Sequence, residues 1–298
     1  MGKKEVKPLS VPLFISSIAL IFIGINFEVA YAANGTNAIG FSAASNGMGG
    51  ADIAALADTS AINNNPALLS QIGGARLDAT LTFLKPDLHH EDVFGNDIDG
   101  QNDPFLILNT GFAYRLKSLP RLTLGLGLFS QGGFCTDFHD LNTAFGTKDE
   151  ASSFLRYTKL AAAVSYQATD RLSIGVAPHI GYSDISLRLF PNTSFFSPGA
   201  DATPGTADDI AFAGFEIPDS CSNNLGIGGE PFGPCPWDIV FGVKVGMLYE
   251  VSKMITVGAA YTSPVSFDYG EGKIIFDFSN PAFGGLGKVT YDAEVKGF

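Results

Sequence analysis

The chain has 298 residues, is 46% apolar and 16% charged, holds 35 glycines and 25 phenylalanines, and carries a formal charge of −12. That length allows one large domain or two ordinary ones. The acidic balance argues against nucleic acid, whose phosphates need a basic surface, and with four histidines and no Ser/His/Asp or paired-carboxylate arrangement the chain reads as a non-enzyme.

In chain order, Lys3, Lys4 and Lys7 precede an apolar run from Val11 to Phe27, and Ala30-Tyr31-Ala32 follows. This is the pattern of a secretory signal peptide over residues 1–32, cleaved after Ala32. The run is short for a spanning helix, and no second run of spanning length follows, so any later membrane passage must use strands. The remainder stands at −13 once the leader's three lysines and two glutamates are removed.

Residues 33–75 form a second unit centred on 49–70. Small residues from Gly49 and Gly50 through Asp58 are compact and helix-permissive. Asn65-Pro66-Ala67 then reads as a helix start, with Asn65 capping orphan amides and Pro66 presetting φ; capping alone accounts for that pair equally well. Nothing later looks helical, so this piece needs something to sit in, and the lumen of a barrel is the expected place.

From residue 76 to 298 the signal is alternation with period two, as in Ile239, Phe241, Val243, Val245, Met247, Tyr249, Val251. In the strands at 172–182, 239–251, 255–269 and 289–296 every charge falls on the opposite face from the apolar set. A lipid-facing Lys or Arg costs about 2–4 kcal/mol at the bilayer midplane, so a membrane barrel requires such segregation. Strands are expected at 77–87, 105–116, 121–131, 155–168, 171–188, 237–251, 254–270 and 288–297, joined alternately by short turns and long loops. That parity is the asymmetry of an outer-membrane barrel. An adhesive or structural outer-membrane protein and a secreted soluble β-sandwich binding module are the rival readings.

Three cysteines fit export. Cys221 and Cys235 flank a Gly/Pro/Asn-rich segment that a disulfide could close, worth about 3 kcal/mol in the chain-entropy model. Asp201, Asp208 and Asp209 could wrap a calcium ion, but they lack EF-hand spacing and a solvated acidic loop is the simpler reading. His89 and His90, adjacent in a strand, point to opposite faces and cannot share a metal. No zinc spacing occurs, and no cofactor is implied.

The segment Gly35–Met48, followed by Gly49-Gly50-Ala51, Ala57-Asp58-Thr59-Ser60-Ala61 and Asn65-Pro66-Ala67, resembles the N-terminal hatch of the FadL/TodX family of outer-membrane channels for fatty acids and other hydrophobic compounds. The strand–turn–strand Tyr166–Gly175 and the pair Gly246–Val251 and Ala260–Val265 extend the likeness along the rest of the chain. It implies a monomeric transmembrane antiparallel β-barrel in the outer membrane of a Gram-negative bacterium, with hydrophobic ligand and membrane lipid as partners. Family members close with fourteen strands whereas about eight are counted here. The barrel is therefore expected to be incomplete, an open curved sheet with two unpaired edges. By the same resemblance Gly132, Gly133 and Phe134 fall on the family's kinked strand, where a ladder break opens the wall for sideways exit; an ordinary glycine-rich strand end is the plainer alternative. Phe190, Phe195, Phe196, Phe212 and Phe215 on the long loops are candidate ligand-entry residues or, equally, interfacial girdle residues.

Overall fold

Alternation dictates a sheet with one face fit for lipid, and a single large antiparallel sheet dominates the chain. The computed structural model describes residues 36–101, 104–193, 195–197, 200, 207, 210–217, 236–278 and 287–297. Among the described residues two short helices, α1 (Ala43–Gly47) and α2 (Ala61–Asn64), and a 3-10 helix at Pro66–Gln71 precede the strands. The strands are β1 (Ala75–Leu84), β2 (His89–Glu91), β3 (Asp97–Asp99), β4 (Phe105–Arg115), β5 (Leu122–Asn142), β6 (Lys148–Gln167) and β7 (Leu172–Leu189), then β8 (Phe195–Ser197), β9 (Ile210–Phe212), β10 (Gly214–Glu216), β11 (Trp237–Ser252), β12 (Ile255–Thr262), β13 (Phe267–Phe278) and β14 (Gly287–Gly297).

The sheet runs β1-β4-β5-β6-β7 and forks there. Leu172–Asp184 of β7 pairs with β11, which pairs with β12, while Arg188 and Leu189 pair with β10, which leads to β13 and β14. Among the described residues no pairing joins β1 to either branch, so the sheet is open.

Its two faces differ as the alternation requires. Leu77, Leu81 and Phe241 are 72%, 63% and 77% exposed, and Leu106, Leu126, Leu160, Ile174 and Met247 continue this apolar outer face. Side chains so placed have no reason to face water in a folded protein, but lipid would receive them. The inner face of the same strands carries Ala113, Ala161, Ala163, Ala177 and Leu248 in one core with Phe41, Ile62, Leu68, Leu69 and Ile72 of the N-terminal segment. Full burial of Ile62, Leu68 and Leu69 stabilises the docking by about 1.5–3 kcal/mol per side chain.

Three expectations need correction. The run 49–57 is not helical: it is a chain of turns, with Gly49 and Gly50 at φ +63° and +78°, a region side chains disfavour. The span 132–154 is not a loop but an extension of β5 and β6 well past the apolar zone, closed by a turn at 143–147. Finally, 254–270 is not one strand. The β11–β12 ladder stops at Lys244↔Thr262, Pro264 brings no N–H, and the Ser263 hydroxyl takes the Val243 amide at 3.0 Å. Beyond this break Phe267 and Tyr269 are not lipid-facing, as alternation alone would have them. They are buried against Leu155 and Tyr157 of β6.

Candidate functional site

The N-terminal segment is a hatch held against the inner face of the sheet, and the wall makes room for it with glycine. A Cβ at Gly111 on β4 would meet Thr59 at 2.8 Å, and one at Gly125 on β5 would meet Ile62 and Leu69 at 3.0 Å. Gly175, Gly246 and Gly258, on β7, β11 and β12, stand in the same relation to Pro66 and Ala67, to Asn65, and to Ile53 and Ala54. Five strands thus surrender a side chain so that hatch backbone can lie on the wall.

Polar groups fix the register of that contact. Asn65, fully buried, accepts from the Ala67 amide at 3.1 Å as N-cap of the 3-10 helix, and Pro66 takes the first helical position. Its Nδ2 donates to Ile53 O at 2.8 Å within the hatch and to Met247 O of β11 at 3.1 Å. Ser70 Oγ lies 2.8 Å from Ser173 Oγ of β7, Ser165 Oγ of β6 donates to Ala67 O at 3.1 Å, and Arg115 of β4 donates to Ser70 O. Asp58 accepts from the Ser60 amide and hydroxyl at 2.9 and 2.5 Å, while Asp52 accepts from Ser45 and Asn64. Gly49 and Gly50 form the turn after α1, where the Gly50 amide donates to Ser45 O.

The glycine-rich stretch of β5 is where the wall breaks. Ser130 pairs with Thr158 and Gly132 with Tyr157, leaving Gln131 as the extra residue of a bulge. The β4–β5 ladder ends just before it, at Thr110↔Leu128, so Phe105–Asn109 pair with β1 but not with β5. Side-chain bonds continue across, from the Ser130 amide to Asn109 Oδ1 at 2.9 Å and from Ser130 Oγ to Leu108 O at 3.3 Å, and further along the Gln101 amide donates to Asp137 O of β5 at 2.7 Å. Above the break Phe105 of β4 and Phe154 of β6 stack with ring centroids 6.2 Å apart, although β5 lies between their strands in sheet order.

The bulge is also where the hatch and its leading residues dock. Gln131 Oε1 accepts from Asn63 Nδ2 at 3.0 Å, and Gln131 O accepts from the Ala38 amide at 2.9 Å. Asn37 bridges to Gly132, and the Gly133 amide donates to Thr36 O at 2.7 Å. A Cβ at Gly132 would run into Thr36 and Asn37, and one at Gly133 into the Leu155 carbonyl. Phe134 follows, opposite Leu155 and 39% exposed.

The loop phenylalanines are scattered. Phe190, at φ +52°, sits 5.8 Å from Phe212, which is 5.2 Å from Phe145. Phe195 and Phe196 pair as backbone with β9, and Phe215 on β10 reaches over Gly272 of β13. Cys221 and Cys235, Asp201, Asp208 and Asp209, and the leader 1–32 lie outside the described residues. On the outer hairpin β2–β3, hydrogen bonds from the Asn96 side chain, from His90 and from the Phe94 and Asn96 amides hold the Asp92 carboxyl down at about 2. The bond to Asp99 raises His89 above the usual imidazole value. Sequence reasoning missed the inward glycines and a basic group on the inner wall, Lys159, His179 and Lys244; charges on the small-residue face were the signal that could have found the latter.

An antiparallel sheet that is apolar outside, lined with small residues inside and covered on that inner face by its own N-terminal segment defines the class: an outer-membrane β-barrel protein with a small helical segment inside. The family is equally definite. The chain belongs to the outer membrane transport proteins described as OMPP1/FadL/TodX, whose family model matches residues 28–297. Among solved structures it is similar to the Pseudomonas putida toluene transporter TodX, at 20% identity and a TM-score of 0.61 over 87% of this chain and 64% of that one. The Ralstonia pickettii toluene transporter TbuX gives 19% and 0.55 over 87% and 64%, and a Pseudomonas aeruginosa FadL homologue 15% and 0.52 over 88% and 63%. The chain spans less than two thirds of the length of these relatives. No curated protein matches it in sequence.

Proposed function

We propose that this chain forms the hatch-bearing part of a channel that passively imports a hydrophobic small molecule, a fatty acid or an aromatic hydrocarbon, across the outer membrane and does no covalent chemistry. The observation that carries the reading is the coincidence at β5: the wall ladder breaks at Gln131, and the hatch and residues Thr36–Ala38 are bonded to that same residue and its neighbours. Ligand gathers on outer-loop aromatics such as Phe190, Phe212 and Phe215 and enters a pocket beside the hatch, gaining roughly 0.8 kcal/mol per buried methylene. Withdrawal of the leading hatch residues (33–41) from Gly132 and Gly133 then opens a path sideways between β4 and β5 into the membrane. In this reading residues 1–32 are an export signal that is removed, 33–75 are the hatch and 76–298 belong to the barrel, and the channel acts as a monomer.

Pulse-labelled uptake of dodecanoate and of toluene by cells carrying Gly133→Val tests it. A side chain at 133 runs into Leu155 O of β6 and must shift β5 from its present course beside the break, which should lower uptake of the transported label, while Gly132→Ala should dislodge the Thr36–Ala38 segment and raise it. Undiminished uptake by a normally assembled Gly133→Val protein would remove the sideways exit.

A further inference from the structure

The break between β4 and β5 has a frame, and two rings stand across it. At the lower edge the Ser130 amide donates to Asn109 Oδ1 at 2.9 Å, and at the upper edge the Gln101 amide donates to Asp137 O at 2.7 Å. The β2–β3 hairpin fastens the upper edge again. Asn96 Nδ2 donates to Asn142 O at 2.9 Å, the Asn142 amide donates back to Asn96 Oδ1 at 2.7 Å, and His90 lies 5.7 Å from the Phe138 ring. The chain on the β4 side is thus pinned to β5 at Gln101 and at Asn109. Phe105 stands midway between those two anchors.

Register alone does not bring Phe105 to its partner ring. It opens β4, where Phe105–Asn109 pair with β1 but not with β5. Phe154 belongs to β6 and is opposite Cys135 of β5 on one side and Ser186 of β7 on the other. Strands two places apart in a sheet are separated by about 9–10 Å. Ring centroids 6.2 Å apart, with planes 29° from parallel, therefore require the two side chains to lean toward each other over β5. They do so just past Gly132 and Gly133, which offer no side chain to stand in the way. Both rings are half-buried. Phe154 is held on a strand paired on both sides, whereas Phe105 is on a strand that has lost one neighbour, so Phe105 is the leaf that moves.

We infer that Phe105 and Phe154 form a shutter across the break and that it sets the width of the ligand allowed through. Because the chain is pinned on both sides of Phe105, the gap widens by swinging that ring and not by parting the strands. A swing of one ring clears a slot of about one ring thickness, roughly 3.5–4 Å. An alkyl chain or a single flat ring fits such a slot edgewise, and a globular hydrocarbon does not. This rests on the channel reading, and it adds the residues that decide which apolar molecules leave.

Channel-dependent uptake, taken as the rate in cells carrying the protein less that in cells without it, tests the shutter with labelled toluene and dodecanoate as narrow probes and adamantane as the wide one. The parent should carry at least one narrow probe and discriminate against adamantane. Phe105→Ala and Phe154→Ala each remove the ring pair and should lower the narrow-to-wide ratio about two- to tenfold. Phe105→Tyr keeps a ring and should keep the parent ratio. Asn96→Ala leaves both rings but frees the upper edge, and it should lower the ratio as well. Protected β6 and β7 amides show that the wall of each variant is assembled, and Phe105→Leu, which keeps apolar bulk without a ring, replaces an Ala variant that fails this check. Adamantane entering the parent as fast as the narrow probes, or a ratio unmoved by loss of either ring, overturns the shutter and leaves the channel standing. Entry of neither narrow probe into the parent brings down the channel reading and the shutter with it.

Discussion

Replacing Asn65 separates two roles that the sequence leaves indistinguishable. If the residue only caps the 3-10 helix, Asp should serve as well as Asn, because the two rank together as N-caps. The structure gives the amide a second task, since Nδ2 bridges Ile53 O of the hatch to Met247 O of β11 in a fully buried place. Asn65→Ala loses the cap, about 1 kcal/mol, and takes the donor from two part-buried carbonyls, at about 1 kcal/mol each. A total near 3 kcal/mol amounts to more than a hundredfold faster opening of the hatch. Asn65→Asp keeps the acceptor for Ala67 N but sets a second oxygen against the two carbonyls and buries a charge, so it should be at least as damaging as Ala. Exchange rates of the Leu68 to Ile72 amides, with β6 and β7 amides as internal reference, read this directly. An Asp variant within about twofold of the parent would refute the bridge and leave capping as the whole account.

The remaining predictions concern the wall, the lipid face and the outer hairpin. Gly125→Leu should loosen the hatch by about 1–3 kcal/mol of overpacking against Ile62 and Leu69, seen as faster hatch exchange with unchanged β5–β6 protection. Val245→Arg, near the middle of β11 on the exposed face, should cost about 2–4 kcal/mol in urea titrations in lipid vesicles and lower assembly in cells. Its neighbour Lys244 is accommodated because it points the other way, and a Val245→Arg protein as stable as the parent would remove lipid from that face. For Asp92, ionisation favours the folded hairpin: the carboxyl's pKa is lowered from 3.8 to about 2, so its contribution is complete above about 3.8 and is lost as pH falls through about 2. A shift of the Asn96 side-chain amide resonances with a midpoint near 3.8 would contradict the hydrogen bonding seen at β2–β3.

Period-two patterning placed the strands of the wall well, because a strand between lipid and a plugged lumen must alternate along its whole length. The same reasoning carried β4, β5, β7 and β11 to within a residue or two at their inner ends. It stopped β5 at 131, since a bulge shifts the phase and an extension above the membrane has no lipid to impose apolarity. It carried 254–270 through as one strand because alternation records faces but not partners. The departure of β13 from β12 toward β10 follows from the ladder break at Ser263 and Pro264. Within the hatch, Asn65-Pro66-Ala67 was legible as a helix start because capping is local chemistry. The bond from Asn65 to Met247 spans 182 positions, and no local signal announces it. The basic group was hidden for the same reason: Lys159, His179 and Lys244 sit on three strands and meet only through register.

The glycines that receive the hatch tie two distant stretches of sequence to one shared volume. Space missing from one partner must be surrendered by the other, so strand and plug are not free to drift separately. Among related chains, a methyl or larger group at the place of Gly125 should arrive together with a smaller residue at the place of Ile62 or Leu69, and a side chain replacing Gly111 with a trimmed Thr59. Exchanging the plug of one such protein for that of another, without its wall, should accordingly give a poorly seated stopper and a leaky pore.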